Sequence, residues 1–335
     1  MPTLTRRAMI CSAACGFAAP AALGQSSAFA AAAARARQMD QLHSLTIVQD
    51  GRTVIEDVRR GPSAATPVNV KSVSKSVVSA LTGAAIDRGH LPGLGATLGD
   101  LAPGLIPPGA DPRVTAITVE NLLTLQAGLE RTSGRNYGAW VNSGNWVAYA
   151  LSREMVAEPG AVMLYSTGTT HVMGAVLTEV TGRSLLSLAR DWLGDPLDID
   201  VPSWARDPQG YYLGGNEMAL SPRALARFGE MYRLGGRWQG RQVLPAAWVR
   251  DSFTARTRSR WSGLGYGLGW FLGEADGTAY ALARGYGGQV VAVVPDRALT
   301  VVITSDPTRP ARSEGYFGDL QALLERDIIP SAPRA

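Results

Sequence analysis

A mixed α+β fold is predicted, with one antiparallel sheet assembled from both ends of the chain, helices flanking it, and a mostly helical subdomain inserted in the middle. Three observations predict it. Short β-branched, period-two patterns with turn signals lie at both ends of the sequence. Between them the apolar residues recur at helical spacing, separated by Gly/Pro-rich loops. The 335 residues are 46% hydrophobic and 18% charged, which supports a sizeable core and excludes wholesale disorder. The expected organisation is a signal peptide over 1–30, a tether over 31–42, an α/β subdomain from 43–90 and 245–335, and a helical subdomain over 91–244.

The elements follow in order. Leu45-Thr46-Ile47-Val48-Gln49 and Arg52-Thr53-Val54-Ile55-Glu56 flank Asp50-Gly51, a two-residue hairpin turn. From Ser72 the spacing of Val73, Val77, Leu81, Ala84 and Ala85 is helical, and Gly89 stops it. Thr118 caps a helix with Asn121 three residues on. A second helix spans 170–180 before Gly182, and Ser221-Pro222 opens a third with a capping Ser and Pro at the first helical position. Strands return at 265–272, 278–283, 289–294 and 299–304, and residues 314–328 close the chain as a helix.

At the N-terminus Arg6-Arg7, the apolar stretch from Ala8 to Leu23 and Ala28-Phe29-Ala30 have the basic, apolar, small order of a secretory signal. The Arg pair after Thr5 points to the twin-arginine route, and so to an exported, periplasmic or secreted protein. The apolar stretch holds Gly16 and Pro20 and is too short to span a bilayer. Ser12-Ala13-Ala14-Cys15 is a poor lipoprotein box, so no stable membrane anchor is expected. Cleavage after Ala30 would remove both cysteines, Cys11 and Cys15, which leaves no disulfide and no thiol chemistry. The net charge of +4 is not gathered into basic runs, so nucleic acid is not an expected partner. Thirty of the 32 cations are Arg; the lysines are Lys71 and Lys75.

Several chemistries are absent. There is no G-x-S-x-G elbow and no H-E-x-x-H pair. His43, His90 and His171 are scattered, and the Gly-X-Gly series at 263–269 opens no helix. What remains is Ser72-Val73-Ser74-Lys75, which places a hydroxyl and an amine on one face at a helix start. A buried amine loses its proton more readily and becomes a usable base for the serine. The bland alternative is a capping Ser and a surface Lys, and the spacing alone does not decide between them.

Two further segments add to it. Glu158-Pro159-Gly160 turns into the apolar 161–164, expected as a short strand, and then Tyr165-Ser166-Thr167 before a helix. Ala283-Arg284-Gly285-Tyr286-Gly287-Gly288-Gln289 leads into the strand ending at Val294. In this order the three segments resemble the serine β-lactamase and penicillin-binding family, and most closely its class C-like branch of esterases, D-aminopeptidases and 6-aminohexanoate-dimer hydrolases. The likeness covers most of residues 43–305, including 221–229 and Tyr266-Gly267-Leu268-Gly269-Trp270.

The resemblance implies a β-lactamase/transpeptidase-like fold with Ser72 as acyl acceptor and Lys75 as its activating amine. Tyr165 would be the proton shuttle, its ionised form favoured by Lys75. The backbone N–H groups of Ser72 and Tyr286 would form the oxyanion hole. Two positions depart from the family pattern. Thr167 stands for the Asn of Y-x-N, and Ala283 for the Lys of K-T-G. Arg284 is adjacent, but strand neighbours leave on opposite faces. Tyr137, Thr167, Arg284, Gly285 and Gln289 are the expected substrate contacts, and Trp140, Trp146 and Trp261 candidate walls of an acyl pocket. Ser76 reads as a helix-surface hydroxyl. The expected function is hydrolysis of a small ester or amide through an acyl-enzyme, with no metal or cofactor. The rivals are a non-catalytic penicillin-binding-like module and a true class C-like β-lactamase or D,D-peptidase.

Overall fold

The computed structural model describes residues 27–334. The first hairpin consists of β1 (Leu42–Gln49) and β2 (Arg52–Val58). Asp50 and Gly51 both take positive φ, as the two-residue turn requires. The C-terminal half contributes β3 (Thr257–Arg258), β4 (Gly265–Tyr266), β5 (Phe271–Ala275), β6 (Thr278–Gly285), β7 (Gln289–Val294) and β8 (Leu299–Ser305). They form one antiparallel sheet in the order β2-β1-β8-β7-β6-β5-β4-β3, so the chain's first hairpin pairs with its last strand. The expected strand at 265–272 is two strands, because the chain turns at Gly267–Gly269 to pair β4 with β5.

Alternation along the strands gives the sheet two apolar faces. Ala281, Ala283, Val291, Val293 and Val302 join a large core with the helices. Leu282, Val290, Ala292, Val301 and Ile303 form an outer cluster. Helix α1 (Ala30–Gln38) covers the outer face together with the C-terminal helix α2 (Tyr316–Ala322) and its continuation to Ile328. The expected tether over 31–42 is therefore corrected. Its alanines are strong helix formers, and Ala32 and Ala36 lie one turn apart, on a face small enough to sit closely against the sheet. Phe29 is 1% exposed in the same cluster, so a cut after Ala30 would remove a core side chain. The remainder of the expected signal lies outside the described residues.

On the inner side, helix α3 (Ser74–Asp87) runs through the middle of the large core and is buried along nearly its whole length. It has no solvent face, which corrects the expectation for Ser76. That hydroxyl donates to the Gly269 carbonyl at 2.6 Å, and Ser79 donates to Leu268 at 2.7 Å. Helix α4 (Thr167–Thr181) ends on Gly182 in the left-handed conformation. Helix α5 (Pro222–Arg233), capped by Ser221, packs on β8 and β7. The expected helical subdomain over 91–244 thus includes a helix that belongs with the sheet, and the large core is continuous across both parts. Thr118 and Asn121 form the reciprocal capping box that opens the short helix Val119–Leu123.

Candidate active site

Ser72 lies on a single 3₁₀ turn (Lys71–Val73) that leads directly into α3. Lys71, immediately before it, holds φ of +51°, a strained value for a residue with a Cβ. The end of β6 abuts this turn. A Cβ on Gly285 would come within 2.4 Å of the Val70 carbonyl, so only glycine fits there. This contact brings Tyr286, the first residue past the β6 ladder, beside Ser72. Among the described residues the chain offers no acceptor to the N–H of Ser72 or of Tyr286.

Tyr165 comes from the opposite side. Residues 161–164, expected as a strand, form no ladder; the segment is fixed by the Leu164 N–H donating to the Leu125 carbonyl at 2.8 Å. Helix α4 begins two residues after Tyr165, and its first N–H groups are capped from a distant loop. Thr167 N–H donates to Ser133 Oγ at 2.8 Å, and Gly168 N–H to Thr132 Oγ1 at 2.8 Å. The Tyr165 ring stacks on Phe271, with centroids 6.3 Å apart.

The three groups converge. Lys75 is 2% exposed, with its Nζ 3.1 Å from Ser72 Oγ, 3.3 Å from Thr167 Oγ1 and 2.7 Å from the Gly215 carbonyl. The same nitrogen lies over the Tyr165 ring, 4.9 Å from its centroid. Burial without a neighbouring carboxylate lowers the Lys75 pKa to about 7. Burial also raises the Tyr165 phenol, which its interactions with Ser72 and Arg284 only partly oppose. The expectation that Lys75 favours an ionised Tyr165 is thereby corrected. The amine lies over the ring and its hydrogen bonds go to Ser72, Thr167 and Gly215, and its lowered pKa makes it the group poised to change charge near neutral pH.

These residues border a cavity of about 710 Å³. Ser72, Tyr137, Tyr165, Thr167, Arg284, Gly285 and Tyr286 all line it. Tyr137 accepts a hydrogen bond from Asn216 Nδ2 at 3.0 Å, which leaves its own O–H free to donate. Arg284 leaves on the face opposite Ala283, as strand alternation requires, and still reaches the cavity. Its guanidinium sits 3.6 Å from the Phe317 ring centroid and donates to Ser313 Oγ at 3.2 Å. Among the described residues it has no carboxylate partner, and burial lowers its pKa to about 10.

Gln289 is a correction. It is fully buried, and its amide closes both ends of a bond pair with the Ser305 backbone, Nε2 to O at 2.8 Å and N–H to Oε1 at 3.2 Å. It points between strands, away from the cavity, and ties β7 to β8. Trp140 and Trp146 are also corrected: both are buried in the core, packed edge-on against His171. Trp261 does line the cavity, 54% exposed, with the Arg131 guanidinium over its ring. His171 is fully buried and bonded to Asp207.

Several site residues were not anticipated. Gly215, Asn216 and Glu217 come from a coil with no motif or periodicity to mark them individually, and Ser133, Phe271 and Phe317 carry no sequence signal that sets them apart from other loop or strand residues. Glu217 carries a hint visible only in three dimensions, a φ of +67°.

A model of the beta-lactamase family matches residues 36–324. Among solved structures, EstCE1, a hydrolase with promiscuous acyltransferase activity, superposes with a TM-score of 0.73 at 18% identity, covering 92% of this chain and 99% of its own. A protein from Bacillus anthracis provisionally assigned as a 6-aminohexanoate-dimer hydrolase gives 0.70 at 17% identity, covering 86% and 80%. A D-stereospecific amidohydrolase from Streptomyces sp. gives 0.68 at 19% identity, covering 93% and 100%. No curated protein sequence matches the chain. The family match over most of the sequence and the shared architecture agree: this chain belongs to the beta-lactamase family.

Proposed function

We propose that the chain is an exported serine hydrolase that cleaves an ester or amide bond of a small substrate through an acyl-enzyme on Ser72. The observation that carries this reading is the Lys75 amine, buried, poised near neutrality and 3.1 Å from a hydroxyl on the cavity wall. Neutral Lys75 takes the Ser72 proton as Oγ bonds to the substrate carbonyl carbon. The oxyanion that forms is met by the Ser72 and Tyr286 N–H groups, each such donor contributing about 3 kcal/mol in a dry site. The carbon–oxygen or carbon–nitrogen bond to the leaving group then breaks. The proton held by Lys75 returns to that group with the Tyr165 phenol as relay. Water attacks the acyl-serine and the same groups run in reverse. No step calls for a metal or cofactor.

The loss of the K-T-G lysine at Ala283 favours simple esters and amides over β-lactams. One observation supports the rival β-lactamase or D,D-peptidase reading: Arg284 restores a cation to the cavity. Turnover of short p-nitrophenyl esters by the wild type and its abolition in Ser72→Ala support the hydrolase. Unchanged turnover in that variant overturns it. A chromogenic cephalosporin cleaved faster than the esters would move the assignment to the rival. Failure of every ester, amide and β-lactam would favour a binding module.

A further inference from the structure

We infer that the ion pair between Lys71 and Glu217 is a clasp that positions the Gly215 carbonyl against the Lys75 amine, which makes Lys71 and Glu217 positioning residues for the acylation step. The inference rests on the hydrolase reading above only for its kinetic consequence; the clasp itself is geometric.

The Gly215 carbonyl is the closest of the three groups around Lys75 Nζ and the only one that cannot donate. A neutral amine has two N–H bonds and one lone pair. One N–H must go to Gly215, so the position of that carbonyl sets the rotation of the amine and determines whether its lone pair meets Ser72. The segment carrying Gly215 is itself coil; beyond Glu217 it is anchored by the Met218 carbonyl, which accepts the Val70 N–H at 2.9 Å, and by the two-residue strand Ala219–Leu220 paired with Val68–Asn69, which leaves residues 214–217 to be fixed by side chains.

Two side-chain devices hold those residues. At their far end Glu217 and Lys71 both take positive φ, +67° and +51°, conformations that cost an L-residue of order 1 kcal/mol or more each. Their side chains meet at 2.8 Å. Asn69 closes the ring: its Nδ2 donates to the second Glu217 oxygen at 2.5 Å, and its Oδ1 accepts the Lys71 N–H at 2.9 Å. The clasp thus links the residue before Ser72 to the residue two beyond Gly215. At the near end the Gly214 N–H donates to His171 Nδ1 at 3.3 Å, and His171 Nε2 faces Asp207 Oδ2 at 3.0 Å, both side chains fully buried. Since Nδ1 accepts, Nε2 carries the hydrogen, and the pair acts as a strut behind the loop. A Cβ on Gly215 would lie 2.9 Å from the Thr167 carbonyl, so the loop is pressed on the start of α4 while the clasp holds it from in front.

The test uses Lys71→Met, Glu217→Ala and the double variant in the full chain. Positioning predicts that each single change lowers kcat between about 10- and 100-fold while KM moves less than about twofold. The double variant should be no worse than either single one, because both break the same contact. Additive losses, or a KM that rises with kcat unchanged, would instead make the two residues separate substrate contacts and overturn the clasp. The two-lysine sequence gives a second readout that needs no substrate. A 13C-lysine spectrum holds one signal for Lys71 and one for Lys75, assigned with Lys71→Met. Glu217→Gln, the mildest change, should move the Lys75 signal although Glu217 does not touch Lys75. An unmoved Lys75 signal overturns the clasp and leaves the hydrolase reading intact; a moved signal in a protein that acylates nothing does the reverse.

Discussion

Behind the inner wall of the cavity, formed by Ser72, Tyr165 and Thr167, the Lys75 amine is 2% exposed and hydrogen-bonded to three groups. On the outer wall the Arg284 guanidinium has one hydrogen-bond partner, Ser313, while Trp261 and Tyr286 are each more than half exposed. Around the amine the polar groups are buried and satisfy one another, the condition under which a pKa shifts and a proton path is fixed. The outer wall keeps charge and aromatic surface in reserve. The difference divides the work: the inner wall performs the bond chemistry, and the outer wall chooses what enters. Changes to the inner wall should therefore act on kcat, and changes to the outer wall on KM.

The largest effects belong to the inner wall. Ser72→Ala removes the acyl acceptor, and ester turnover should fall by at least about 10³-fold in a p-nitrophenyl assay. Tyr165→Phe keeps the stacking on Phe271 and loses only the relay, so kcat should fall about 10- to 100-fold with KM little changed. An equal loss in KM would mean that the phenol holds substrate. On the outer wall, Arg284→Ala should raise KM about tenfold for esters that carry a carboxylate and leave uncharged esters unaffected. Equal effects on both would deny the guanidinium a role in recognition. Trp261→Ala should be the smallest, a few-fold rise in KM for bulky acyl groups, read in a chain-length series.

The inner wall also predicts a conflict between stability and activity. The folded-state pKa of Lys75 is depressed, to about 7 from 10.5. The unfolded chain therefore binds a proton that the folded one does not between those values, and folding stability rises with pH across that window. The burial penalty is full below about pH 7 and gone above about 10.5. Lys75→Met should be inactive yet more heat-resistant, by a few kcal/mol at pH 6 and by little at pH 10. Thermal melts at both pH values check the sign. A variant destabilised equally at both would show that the hydrogen bonds of the amine outweigh its desolvation.

The two walls were also unequally legible in the sequence. Ser72 and Lys75 share a helix start and Tyr165 precedes a helix after a Pro-Gly turn, so local spacing and a family resemblance placed all three. Strand alternation placed Arg284 on the face opposite Ala283, but Phe317 and Ser313, which it meets on that face, themselves border the cavity, which periodicity does not encode. Gln289 closes the segment whose Gly285 and Tyr286 do border the site and was drawn in with them; its amide serves two strands instead. The Ala-rich 30–38 segment looked like a tether because low complexity hides a face that only the packed sheet reveals. Gly215, Asn216 and Glu217 lie in a loop region where pocket walls are expected, but a coil fixed by contacts distant in sequence has no period from which to single them out.

The most direct test of the account follows the labelling of Ser72 by a fluorophosphonate as a function of pH, with the adduct located by peptide mass mapping. The rate should rise through a midpoint near pH 7 as Lys75 loses its proton, level off above it, and vanish in Ser72→Ala. An adduct on another residue, or a rate on Ser72 that does not change between pH 5 and 9, would contradict the proposal that a buried neutral lysine drives this serine.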